Sequence, residues 1–218
     1  MNRRVQGVVF DMDNTLLRLH IDFKGMRKET YAYLSEHGFI PSELALEDHT
    51  TSTLIQAAID AGTMNTEQIQ ALWAIPSKYE RLGMRGAKLE QGAYSLLTEL
   101  EGQYRLALVT NNSLEAAKQV LQEHGIWHVF NLVVGREQMQ QLKPSPSGYM
   151  TVLEQFPEIP ASCWMSVGDS WIDGVASAHA DIPFIAYQGD EEWMQHHGVR
   201  PIANVAHLHD IIPYIQVE

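Results

Sequence analysis

Apolar residues along this chain fall into two kinds of pattern, and the two alternate. Short runs with few polar interruptions occur at Val5 to Phe10, Arg105 to Val109, Phe130 to Val134, Trp164 to Val167 and Pro183 to Ala186. Runs of that kind predict strands buried on both faces, as in a parallel sheet. Between them the apolar positions recur at helical spacing: Ala93, Leu96, Leu97 and Leu100 in one stretch, Leu114, Ala117, Val120 and Leu121 in the next. The second stretch opens at Asn112, with Glu115 three residues on as a capping pair. Strand and helix in alternation predict an α/β fold, a doubly wound, mainly parallel, Rossmann-like sheet.

The interval from Leu17 to about Arg85 departs from this rhythm, because helical patterns follow one another there without a strand among them. Met26, Thr30, Tyr33, Leu34 and His37 fit one helix that Gly38 can end. Leu54, Ile55, Ala58 and Ile59 fit a second, ended by Gly62, and Ile69, Leu72 and Trp73 begin a third that Pro76 kinks or restarts. The expected organisation is a core of residues 1–16 and 87–218, with an all-helical subdomain of residues 17–86 inserted after the first strand. Leu16 to Leu19 would be the outward crossing, and Gly86 with Ala87 the return.

Polar residues cluster where the predicted strands end, which in open parallel sheets is where ligands bind. Asp11, Met12, Asp13, Asn14 and Thr15 follow the first strand, so two carboxylates converge on a small volume. Such a pair is stabilised by a divalent cation, by protonation of one acid, or by both; its plain structural reading is a helix cap beside a solvated turn residue. Thr110, Asn111 and Asn112 follow the second strand and offer a hydroxyl and amides to an anionic oxygen. Lys143 follows the third in a loop that Pro144 and Pro146 stiffen. Gly168, Asp169 and Ser170 follow the fourth, with Asp173 four positions beyond Asp169 on the same face of the helix that starts there.

Composition then narrows the classes. Among 218 residues the formal charge is −12, which argues against unaided binding to nucleic acid or an anionic membrane and suits local recruitment of a cation. The single cysteine, Cys163, excludes an internal disulfide and is compatible with a reducing compartment. The opening residues Met1, Asn2, Arg3 and Arg4 carry no long apolar stretch, and no apolar run is long enough for a bilayer span, so a cytoplasmic protein is expected.

Taken in order, the four clusters resemble the motifs of the haloacid dehalogenase superfamily over nearly the whole chain. Asp11 to Thr15 resembles its first motif, Thr110 and Asn111 its second, Lys143 its third, and Gly168 to Asp173 its fourth. The inserted segment looks like the helical cap of the phosphoglycolate phosphatase and sugar phosphomutase type. The resemblance implies a Mg²⁺-dependent phosphatase of small phosphorylated metabolites that works through an aspartyl phosphate. Asp11 would be the nucleophile and Asp13 the acid and base. Thr110, Asn111 and Lys143 would bind the phosphate, with Thr110 and Lys143 also counted as catalytic. Asp11, the Asp13 backbone carbonyl and Asp169 would hold Mg²⁺, supported by Asp173.

Asp13 favours phosphoryl transfer over halide displacement, whose leaving group needs no acid. A sugar phosphomutase of the same superfamily is the alternative; a non-catalytic phosphate-binding or signalling protein, such as a receiver domain, is the remote one. A receiver would be far shorter and would lack Asp13 and the insert. Substrate choice is expected to lie in the cap, where Lys24, Arg27, Lys28, Lys78, Arg81 and Arg85 are candidate contacts for a second anionic group. His196, His197, His207 and His209 read as surface residues without metal partners, and Trp171 as a cover for the metal loop or the sheet edge. Asp181 stands where the family commonly has glycine. A monomer and a homodimer are both compatible with the residues.

Overall fold

The computed structural model describes residues 4–41 and 44–216; Met1, Asn2 and Arg3 of the opening segment lie outside them. In chain order the elements are β1 (Gly7–Phe10), β2 (Leu17–Arg18), α1 (Phe23–Glu36), α2 (Thr51–Asp60), α3 (Thr66–Gly83), β3 (Lys88–Leu89), α4 (Ala93–Leu100), β4 (Arg105–Val109), α5 (Leu114–Glu123), β5 (Leu132–Val134), α6 (Ser147–Gln155), β6 (Trp164–Gly168), α7 (Trp171–His179), β7 (Phe184–Tyr187), α8 (Glu191–His196), β8 (Ala203–Val205) and α9 (Ile212–Ile215). Two compact units result: Met1–Leu19 with Ala87–Glu218, and His20–Gly86. Among the described residues no helix is long and apolar enough to cross a membrane.

The first unit holds a six-stranded sheet in the order β5-β4-β1-β6-β7-β8. All its pairings are parallel. β1 sits between β4 and β6, with Val8 opposite both Leu106 and Met165. Every residue of β1 is buried, which explains why the run Val8, Val9, Phe10 shows no polar alternation. One core cluster joins Val9, Val109 and Val134 of the sheet to Tyr149 and Val152 of α6 and Ala176 of α7. Cys163, half-buried, packs against the same cluster just before β6. Close packing at the sheet depends on Gly7, where a Cβ would come within 2.4 Å of the Trp164 ring.

The polar ends of these strands are tied together by backbone. Asp11 N–H donates to Val167 O at 2.9 Å, and Thr110 N–H to Val134 O at 3.0 Å. These bonds extend each ladder by one residue and fix where the site residues begin.

The two-residue strands β2 and β3 pair antiparallel, Leu17 with Leu89 and Arg18 with Lys88. This corrects the expectation that the segment from Leu17 onward is without strand. The Arg18 guanidinium forks onto buried Glu90 at 2.9 and 3.0 Å, so both crossings are held in the first unit. The division accordingly falls after Leu19 and after Gly86, whose φ of 73° is left-handed.

The second unit is helical, with Leu34, Leu54, Ile55, Ala58 and Leu72 at its core. Gly38 (φ 70°) and Gly62 (φ 66°) follow the ends of α1 and α2, as their positions predict. α3 runs through Pro76 as one helix, so the restart expected there does not occur. Lys78 of α3 pairs with Glu29 of α1 at 2.5 Å, and Arg27 donates to the His49 carbonyl at 3.0 Å. Lys24, Lys28, Arg81 and Arg85 are exposed.

Three further findings concern β8, the cap of α5, which corrects the expected one, and Trp171. β8 carries no recognised pattern, because only Val205 of its three residues is buried. α5 is capped by Ser113, whose Oγ accepts from Ala116 N at 3.2 Å, and not by Asn112. Trp171 stacks on His197, with ring centroids 3.7 Å apart and planes 10° from parallel, and packs against the Phe184, Ala186, Met194 and Val199 cluster.

Candidate active site

Four loops at the carboxyl ends of β1, β4, β5 and β6 bring the sequence-predicted residues together. The first is a tight turn: Asn14 takes a left-handed φ of 56°, and its N–H donates to Leu17 O at 2.8 Å. Asparagine tolerates that conformation better than most residues. The N–H groups of Leu16 and Leu17 both donate to Met12 O at 3.0 Å. The turn leaves Asp11 buried at the end of its strand and Asp13 half-buried beside it.

Lys143, 1% exposed, lies at the centre. Its Nζ donates to Asp11 Oδ1 at 2.6 Å, to Asp173 Oδ1 at 2.6 Å and to the Val109 carbonyl at 2.9 Å. Those three contacts use all three ammonium hydrogens. Burial works against the charged ammonium, but the carboxylates of Asp11 and Asp173 outweigh it and hold the lysine well above its ordinary pKa. In this arrangement Lys143 acts on a nearby anion through its charge, with no hydrogen left to donate.

Asn111 sets the lysine's backbone. Its Nδ2 donates to Lys143 O at 3.1 Å, and its Oδ1 accepts from Lys143 N at 2.9 Å. Asn112, 5% exposed, points to the other acid: Nδ2 donates to Asp13 Oδ1 at 2.8 Å and Oδ2 at 2.7 Å. Thr110 Oγ1 accepts from the Asn112 backbone N–H at 3.2 Å and from its Nδ2 at 3.1 Å. The sequence had offered Asn112 a helix cap; nothing local in the pattern marks a partner as distant as Asp13.

Asp173, in the first turn of α7, has two duties. Its Oδ1 meets Lys143 while its Oδ2 accepts from Ser170 N at 3.2 Å at the helix start. Room for this carboxylate exists because residue 168 is glycine: a Cβ there would lie 2.7 Å from Asp173 Cβ, Cγ and Oδ2. Asp169 is half-buried next to it.

One carboxylate oxygen each from Asp11, Asp169 and Asp173 lies within 4.8 Å of the others. Burial and then the charges of Asp11, Asp173 and Asp13 push Asp169 well above the usual carboxylate range. Burial lifts Asp173 to about 6, against the pull of Lys143. One ammonium does not balance this concentration of acids, and an all-oxygen donor set is the kind that Mg²⁺ prefers. The residues therefore fit a hard divalent cation. By contrast, His196 and His197 sit in an aromatic group with Trp171 and Trp193.

Comparison with known proteins agrees with this architecture. The chain is 28% identical over 212 residues to a phosphoglycolate phosphatase of Vibrio cholerae, covering 93% of this chain and 90% of that one. A hydrolase from Pseudomonas syringae has the same fold, with a TM-score of 0.70 at 17% identity over 96% of this chain and 97% of that one. So does the Bacillus subtilis HAD-hydrolase YfnB, solved bound to magnesium, with a TM-score of 0.64 at 21% identity over 99% of this chain and the whole of that one. The family described as haloacid dehalogenase-like hydrolase matches residues 8–187, a span that takes in every site residue above. With strands, loops and acids in that order, the chain belongs to the haloacid dehalogenase-like hydrolases and is an enzyme of that family.

Proposed function

We propose that this enzyme is a Mg²⁺-dependent phosphatase of small phosphorylated metabolites, acting in the cytoplasm through an aspartyl phosphate on Asp11. The observation that carries the reading is the convergence of Asp11, Asp169 and Asp173 around a single buried Lys143. Asp11, the Asp13 backbone carbonyl and Asp169, supported by Asp173, would hold the ion. When bound, Mg²⁺ supplies positive charge that offsets repulsion between the acids and an anionic phosphate.

The chemistry of the chain's own residues follows from their types. An oxygen of the Asp11 carboxylate attacks phosphorus, an O–P bond forms, and the ester P–O bond breaks. Asp13 delivers its proton to the departing alkoxide. Asp13 then accepts a proton from water as that water attacks the phosphorus, breaking the bond to Asp11 and releasing phosphate. Lys143 balances charge beside the nucleophile, and Thr110 offers its hydroxyl to a phosphate oxygen.

Relatives bearing the name phosphoglycolate phosphatase make 2-phosphoglycolate the first ester to try. The test is phosphate release from a panel of small esters by wild type and Asp11→Asn, with Mg²⁺ or with chelator. Metal-dependent release that Asp11→Asn lacks is the expected result. Release that persists in Asp11→Asn removes the nucleophile assignment.

A further inference from the structure

Asn112 has the side chain of a helix cap but not the duty of one. Ser113 caps α5, which leaves the Asn112 amide directed at Asp13. Its backbone is held on both sides: the N–H donates to Thr110 Oγ1 at 3.2 Å, and the carbonyl accepts from Arg136 N at 2.9 Å. A buried side chain on so fixed a backbone has little freedom to turn. Only the NH₂ end of an amide can face a carboxylate, since its oxygen would be repelled.

Contacts of 2.8 and 2.7 Å to the two oxygens put the amide nitrogen almost symmetrically across the Asp13 carboxylate. That symmetry fixes both the reach and the rotation of the carboxyl group. The same nitrogen lies 3.1 Å from Thr110 Oγ1, so the acid and the hydroxyl meet the substrate from one common anchor.

We infer that Asn112 is a positioning residue that holds Asp13 where it meets the leaving-group oxygen, so that its loss falls selectively on esters whose leaving group must be protonated. This inference rests on the phosphatase reading. Leaving groups separate the two possible roles of the residue. An alkoxide departs only with a proton, whereas p-nitrophenolate is stable enough to depart with little help. A defect in acid placement therefore weighs on alkyl esters, while general damage to the site weighs on both.

The experiment measures kcat/KM for 2-phosphoglycolate, or the best alkyl phosphate of the panel, and for p-nitrophenyl phosphate. Wild type, Asn112→Ala and Asn112→Leu are compared. Leucine fills nearly the same space without a donor and reads the same ratio if alanine fails to fold. The expected result is a fall in the alkyl-to-aryl ratio of about tenfold or more, a fraction of what a general acid contributes. An unchanged ratio, whether both esters lose equally or neither loses, overturns the inference and leaves the phosphatase reading intact. No release from either ester by wild type removes that reading and this inference with it.

Discussion

The side chain of Asn111 and the backbone of Lys143 exchange two hydrogen bonds, of 3.1 and 2.9 Å, across the ends of β4 and the loop after β5. An amide side chain here does what a neighbouring strand would do, donating and accepting at one residue. Asn111→Ala is expected to lower kcat/KM by about 10- to 100-fold, because misplacing a catalytic group by an ångström costs about that much. The thermal midpoint should fall modestly, by the loss of two bonds of about 1 kcal/mol each. Steady-state kinetics beside a thermal melt checks both; unchanged kinetics would release Asn111 from this role.

Lys143 places its ammonium between two buried carboxylates, Asp11 and Asp173. Lys143→Met should destabilise the metal-free protein by about 3–5 kcal/mol, since both buried acids lose their counter-charge. Added Mg²⁺ should recover part of that loss. Denaturant unfolding with and without the ion measures it, and a stability change below about 1 kcal/mol would contradict the pairing.

Protons and metal should compete at this site. Asp173 is lifted to about 6 and Asp169 well above its ordinary value, so the folded protein binds more protons than the unfolded chain between their two pKa ranges. Their contribution is fully present below the unfolded carboxylate value near 4 and is lost as pH rises through the folded values. Without metal, this cluster is therefore expected to be more favourable at pH 5 than at pH 8. Mg²⁺ needs the ionised acids, so the rise in thermal midpoint on adding Mg²⁺ should be larger at pH 8 than at pH 5. An equal rise at both values would count against binding through these carboxylates.

Gly168 leaves the space that the Asp173 side chain fills, with 2.7 Å from a Cβ to Cβ, Cγ and Oδ2 of that residue. Gly168→Ala should cost about 1–3 kcal/mol as an overpacking change. It should also weaken Mg²⁺ binding, because the displaced group is an acid of the site. Calorimetric titration of the ion into the variant tests the second effect, and wild-type affinity would refute it.

Much of this architecture was legible because parallel strands buried on both faces must be apolar throughout. Five runs gave five of the sheet strands, and acids after two of them located the site. The features without such a pattern are too short or join residues too distant in sequence. Leu17–Arg18 and Lys88–Leu89 have two residues each, too few for any periodicity. Asn112 and Ser113 are both good caps, and only contacts with Asp13 and Thr110 decide which of them serves α5. Asn111 reads as a phosphate ligand, and its two hydrogen bonds to the Lys143 backbone lie out of reach of any local pattern. Pro76 reads as a kink or a restart, yet α3 continues through it as one helix with the proline buried.

The central place of β1 has a consequence for how the chain is made. Val8, Val9 and Phe10 are made before the rest of the sheet, and their two neighbours in it are Leu106 to Leu108 and Met165 to Val167. The helices of His20–Gly86 close on nearby sequence and can form early, while β1 waits with both edges open. A nascent chain stopped before Trp164 thus carries a strand buried on both faces only half-paired, and Asp11 at its end without Asp169 and Asp173. Synthesis must pass Asp173 before the enzyme has either a closed sheet or a complete set of charges.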